Sequence, residues 1–333
     1  MVEFSHTYSL SREWQETLAK DLVKMGGEVI NENVVKFPES IADGSFYCTE
    51  VMEGLSVVVV DVTGKVPVLV RRLRSDEDLY IIHYDFSDEM NLIHVEDVKH
   101  KIGYKANLGL AVFDNATDNN FQPAIGQRIY ALRLLVSKEL LKFSVAKEFA
   151  RNSDKRRIKK SKNKLFFYDH IDSESKIIMR GAKDKNFLDP GFEMFIRGIA
   201  LKLLGKFVDR YTNLIPLLHS ISEKEAESLH KTKEYLLNNL LTGFPGVAFL
   251  ADMAEMSMSK YMSLFKKMYT TTPNSFFWRE KIILTNELLK SGRFDSISEV
   301  LEVLDNIKLG YLSEKYYRAY KKNPYEDFVK ADY

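Results

Sequence analysis

One cysteine, Cys48, in 333 residues excludes an intramolecular disulfide framework and any cysteine-rich zinc site, and it fits a reducing compartment. Cys48 reads as a small apolar strand residue. No stretch approaches the 18 apolar residues of a membrane span, and the opening MVEFSHTYSLSREWQE has neither a basic nor an apolar leader region. The expectation is a cytoplasmic chain without a membrane partner. Also missing are a glycine-rich phosphate loop, a nucleophile elbow and a His-Glu-x-x-His pair, so no catalytic residues and no cofactor are assigned, and the chain is expected not to be an enzyme. Charge of one sign is lacking as well. With 48 Lys and Arg against 47 Asp and Glu, any nucleic-acid reading must rest on where the cations sit.

What is present is a folded α+β chain. Its length exceeds the reach of one core, and 45% hydrophobic with 29% charged residues is the composition of a globular protein. Between about Val34 and Val136 short runs such as FYCTEVM, LSVVVVDV, LYIIHYDF and RIYALRLLV alternate with turns at Glu53-Gly54, Thr63-Gly64 and Asp114-Asn115. β-branched and aromatic runs at this spacing predict a small sandwich or open barrel. A short amphipathic helix around Ser11 to Met25 precedes them, and from Ser137 onward the periodicity is helical. The expected division is 1–145 for the strand domain, 146–220 for a helical connector and dimerisation region, and 221–333 for an all-α domain.

Two features lie in the connector. Residues 151–164, RNSDKRRIKKSKNK, hold eight Lys or Arg against one Asp, either a solvated face or an auxiliary phosphate contact. Pro190 to Thr212 forms an amphipathic helix whose apolar face, Phe192, Phe195, Ile196, Ile199, Leu203, Leu204 and Phe207, must cover the strand domain or a second subunit. Ser222 with Glu225 reads as a capping box opening the next helix.

Leu250 to Lys267, LADMAEMSMSKYMSLFKK, has a helix-turn-helix layout. Leu250, Ala251 and Ala254 let a second helix cross closely, Ser257 caps that helix, and Tyr261, Leu264 and Phe265 hold it to the core. Its outward face is left to Ser259, Lys260, Ser263, Lys266 and Lys267, which is what a major-groove reader needs: hydrogen-bonding groups near the N-terminal half and cations toward the flanking phosphates. A weaker second copy follows at an offset of 51 residues, with Phe265 matched by Tyr316 and Pro273 by Pro324.

Leu250-Ala251, Ser257, Tyr261, Phe265-Lys266, Pro273 and Phe276, followed by Lys281, Thr285 and Leu288-Leu289, resemble the double helix-turn-helix domain of the AraC family of transcription regulators. The likeness spans roughly Ser222 to Phe328. Ile297, Ser298, Glu299 and Val300 match the start of the family's second motif, whereas Asp305-Asn306, Leu301 and Glu314 depart from it. The resemblance implies sequence-specific binding to operator DNA, with Ser257, Ser259, Lys260, Ser263, Lys266, Lys267 and Lys281 in the first half and Lys308, Ser313, Tyr317 and Arg318 in the second. It also implies a cupin-like N-terminal sensor, a homodimer, a small-molecule effector and RNA polymerase as a further partner. From Glu223 to Tyr333 the chain has 16 Lys and Arg against 16 Asp and Glu, so weak sequence-independent DNA binding is expected.

The N-terminal domain carries no specific ligand motif. A metal-dependent cupin would need converging histidines, and His83, Asp85, His94 and His100 supply no His-x-His, so no metal site is assigned. Arg71, Arg72 and Arg74 either grip an anion or line an exposed edge. Tyr80, Tyr84 and Phe86 either line a pocket or form plain core. Two other readings stay open: a protein-interaction module on a degenerate DNA-binding fold, and a cupin enzyme with a regulatory tail.

Overall fold

The computed structural model describes residues 1–331 apart from 88, 96–97, 104–108, 152–166, 170 and 219–222. The basic run within 151–164 and the Ser222 half of the capping box lie outside the described residues. The chain divides into two compact units, 1–171 with 178–209 and 172–177 with 210–333. The helices of the 146–220 stretch fall partly in the first unit and partly in the second.

The first unit contains β1 (Val2–His6), α1 (Glu13–Lys24), β2 (Glu28–Val29), β3 (Val34–Lys36), β4 (Ala42–Met52), β5 (Leu55–Gly64), β6 (Val68–Arg72), β7 (Leu79–Asp85), β8 (Asn91–Val95), β9 (Val98–Ile102), β10 (Leu110–Asp114), β11 (Asn119–Gln122), β12 (Arg128–Ser137), α2 (Lys138–Arg151) and β13 (Phe167–Asp169). Parts of α3 (Ser173–Lys183) and α4 (Phe192–Leu218) complete it. The larger sheet has the order β13-β10-β7-β12-β5-β4-β3-β2 and the smaller β1-β6-β11-β8-β9. Neither closes on itself, so the α+β expectation takes the form of a two-sheet sandwich. β5 and β12 lie at the centre of the larger sheet, and their near-continuous apolar runs are buried, as strands covered on both faces must be.

On one face Cys48, Val58, Ile81 and Leu135 pack with Ile93, Val95, Ile102 and Phe121 of the smaller sheet. The other face meets α4: the Tyr84 hydroxyl donates to the Leu203 carbonyl at 3.3 Å, and the Tyr47 and Phe192 rings make an edge contact at 5.0 Å. This answers what the apolar side of α4 covers, since Phe192, Ile196, Ile199, Leu203, Leu204 and Phe207 are all buried. Gly44 lies in β4 at φ 123°; a Cβ there would stand 2.2 Å from the Asp61 carbonyl oxygen, closer than any side chain can be accommodated.

The second unit is helical: α5 (Glu223–Asn238), α6 (Val247–Met253), α7 (Met258–Tyr269), α8 (Pro273–Lys290), α9 (Ile297–Val303), α10 (Leu309–Tyr320) and α11 (Pro324–Asp327). α8 is its axis, with Phe276, Phe277, Ile282, Ile283 and Leu289 buried. Ile282 and Leu289 share a cluster with Ile297, Val300, Leu304, Leu312 and Tyr316. Residues 172–177 join this unit through Glu280, which accepts from Ser173 at 2.8 Å and pairs with Lys176 at 2.5 Å. A buried carboxylate is tolerable only with such partners. Among the described residues no helix is long and apolar enough to cross a membrane.

Candidate nucleic-acid interface

The first motif is assembled from local rules. Leu250 and Ala251 of α6 are fully buried, as is Ala254 after it, which lets α7 approach closely. The turn is completed at Glu255, whose φ of 55° is left-handed, and by the Met256 amide donating to the Ala251 carbonyl at 3.0 Å. Ser257 then caps α7, its hydroxyl accepting from the Lys260 amide and satisfying one of the orphan donors of the helix start. Tyr261, Phe265, Met268 and Tyr269 fix the inner face. Tyr261 donates to Thr232 at 3.2 Å and Tyr269 meets His230 at 3.2 Å, so α5 anchors both ends of α7. Leu264 is only half-buried. Ser257, Ser259, Lys260, Ser263, Lys266 and Lys267 are all exposed together on the other side.

The second motif repeats this punctuation 51 residues later. Left-handed residues recur at Thr270 and Lys321, and at Glu255 and Asn306; N-caps recur at Ser257 and Lys308 and at Thr272 and Asn323. Asp305 and Asn306, at φ 69° and 53°, are short polar residues, the kind that tolerates the left-handed region. Leu312 and Tyr316 take the places of Tyr261 and Phe265, both fully buried. The Tyr316 hydroxyl donates to Asp327 at 2.7 Å and accepts from the Asn286 amide at 2.5 Å. Burial works against the charged form of Asp327, but hydrogen bonds from Tyr316 and Lys322 hold its carboxyl below the usual range.

Of the residues assigned to the second half, Lys308, Tyr317 and Arg318 are exposed and Ser313 is half-buried. Arg318 is paired with Glu314 one turn back. The repeat places Tyr311 where the first motif has Lys260, and Glu314 where it has Ser263; the 51-residue offset itself was the signal for both. Lys315 lies over the rings of Trp278 and Tyr311, at 5.2 and 4.7 Å.

Lys281 must be corrected. It is 1% exposed, and its ammonium donates to the carbonyls of Leu241 and Thr242 at 3.5 and 2.7 Å. Burial lowers its pKa, and the ammonium is spent on carbonyls of the turn that follows α5.

The first unit holds a cavity of about 100 Å³ between its sheets, walled by Phe4, Trp14, Phe46, Val58, Val60 and Phe121. A smaller one of about 30 Å³ adjoins it, lined by Arg72 and His83; His6, Tyr8, Val70, Phe121 and Arg133 border both. The apolar chamber therefore ends in a polar head. Arg133 donates from Nε to His83 Nδ1 at 3.1 Å and has no carboxylate partner among the described residues. Burial, with Arg133 and Arg72 adding to it, lowers the His6 pKa to about 3, and the His6 Nδ1 is buried without a partner. The guanidinium of Arg72 is buried and spends its donors on the carbonyls of Asn115 and Thr117.

The remaining sequence candidates fall elsewhere. Tyr84 and Phe86 are core and Tyr80 is half-buried; none lines either cavity. Arg71 pairs with Glu3 at 3.0 Å, and β6 is no edge strand because β1 runs parallel beside it. His83 and Asp85 are buried against each other at 3.5 Å, while His94 pairs across from Lys99 and His100 from Ile93. Alternation sends those two imidazoles to opposite faces. Among the described residues no three His, Cys, Asp or Glu are grouped to hold a metal ion.

No protein-family model matches the sequence, and no curated protein matches it. Solved structures do show likeness. ToxT from Vibrio cholerae aligns over 82% of this chain and 97% of its own, at 11% identity and a TM-score of 0.32. The unsaturated fatty acid-bound form of ToxT aligns over 84% and 98%, at 12% identity and a TM-score of 0.29. A mutant oxalate decarboxylase from Bacillus subtilis aligns over half of each chain, at 12% identity and a TM-score of 0.22.

Proposed function

We propose that the chain is a sequence-specific DNA-binding transcription regulator of the AraC type, not an enzyme, acting in the cytoplasm as a homodimer on operator DNA beside RNA polymerase. The observation that supports this most is the duplicated helix-turn-helix, in which α7 is pinned by Tyr261 and Phe265 and turns Ser259, Lys260, Ser263, Lys266 and Lys267 to solvent. A helix held this way offers donors to base edges and cations to the flanking phosphates. Footprinting on the DNA upstream of its own gene tests the reading. Replacing Lys260 and Ser263 by Ala should cost roughly 1–3 kcal/mol per base contact and erase the footprint. Full-length protein that protects no site in a genome-wide footprint would overturn it.

Its effector, in this reading, is a small acid with a compact apolar body. The chamber, at about 100 Å³, is smaller than the ~150 Å³ apolar void that accepts benzene, so its walls suit only a short apolar body, and the Arg133 guanidinium beside His6 suits a carboxylate. Hexanoate should raise the thermal midpoint while hexanol does not, and Arg133→Gln should remove the difference. Equal shifts with acid and alcohol would refute the anionic head.

A further inference from the structure

A cation on each candidate recognition helix is paired with an acidic side chain. On α7 the Lys260 ammonium stands 2.5 Å from Glu225 Oε1 of α5. On α10 Arg318 is paired with Glu314. The two cationic side chains are 53% and 74% exposed, so each pair lies on the open side where a phosphate would arrive. Glu225 is set in place by its neighbour: Lys224 bonds Glu255 in the turn at 2.7 Å, which brings the first turn of α5 over the start of α7. Lys266 and Lys267, by contrast, have no acidic partner among the described residues.

We propose that Glu225 and Glu314 are internal stand-ins for phosphate that suppress sequence-independent DNA binding. Random duplex is held by cations that neutralise phosphates and release counter-ions. At Lys260 and Arg318 a phosphate must first displace a carboxylate, so these positions contribute little unless base contacts add to the exchange. Discrimination is thereby set by the acidic partners of the cations as well as by the cations themselves. The inference rests on the DNA-binding reading above.

Fluorescence anisotropy on a short random duplex, repeated over a salt series, tests it with the full chain. Glu225→Gln should tighten binding about two- to fivefold, the range of an exposed ion pair, and steepen the plot of log affinity against log salt by about one unit. Glu314→Gln should do the same independently. In a Lys260→Ala background Glu225→Gln should change nothing, which a merely structural role for Glu225 would not reproduce. Equal thermal midpoints of the variants guard against altered folding. Wild type that binds duplex while both Glu→Gln variants leave affinity and slope unchanged, or weaken binding, overturns the inference alone. Wild type that protects no site in a genome-wide footprint removes the DNA-binding reading and the inference together.

Discussion

The ammonium of Lys281, near the middle of α8, donates to the carbonyl oxygen of Thr242 at 2.7 Å and so terminates the chain segment that follows α5. A basic residue at this place in the sequence invites a phosphate contact; its position makes it a clamp on the turn after α5. Lys281→Ala should lower stability by about 2–3 kcal/mol, because the carbonyls it serves lose a charged donor and the buried stem leaves a void. Urea denaturation measures the loss. The salt slope of duplex binding should be unchanged, and a slope reduced by a full unit would restore Lys281 to the interface.

Tyr316, Asn286 and Asp327 tie the second motif to α8 in the same spirit. Asp327 has its carboxyl held below the ordinary value by Tyr316 and Lys322 despite burial. A carboxylate with a lowered folded pKa contributes stability that is complete above its unfolded value, about 4, and is lost as pH falls through the folded value. Tyr316→Phe should cost roughly 2–3 kcal/mol at neutral pH, with the cost shrinking below pH 4. Urea midpoints of both proteins between pH 7 and pH 3 give the comparison, and a penalty that does not vary with pH would mean the hydroxyl contributes nothing through Asp327.

The larger sheet has one place where a methyl group is too much. Gly44→Ala should destabilise the first unit by roughly 2–4 kcal/mol, combining the positive φ with the overlap on the Asp61 carbonyl. Differential scanning calorimetry would show it as a lowered transition, and an unchanged trace would mean that β4 can shift at no cost.

Elements that differ strongly from water in pattern could be read from residues alone. The central strands β5, β7 and β12 and the repeated turn-cap-aromatic punctuation of the helical unit follow from local chemistry, which is why Leu250, Ser257, Tyr261 and Phe265 fall where spacing puts them. β1, β8 and β11 were not legible, because four or five residues with mixed polarity gain their strand character only from a neighbour such as β6. The same limit governed the sites. That Lys281 turns inward, that Arg133 rather than Tyr80 or Tyr84 faces a cavity, and that Glu225 reaches Lys260 across 35 positions are all products of tertiary placement. A cation's type tells only what it could bind, and its neighbours decide what it does bind.

β1 has a practical consequence. Because Val2–His6 pairs in register with Val68–Arg72 and delivers Phe4 and His6 to the chamber wall, these few amino acids act as a plug in the sandwich. Trimming them, or burying them under a bulky purification handle, would uncork the chamber and give an environment-sensitive dye a greasy hollow to enter, so material made that way would report on a leaky vessel instead of the native one.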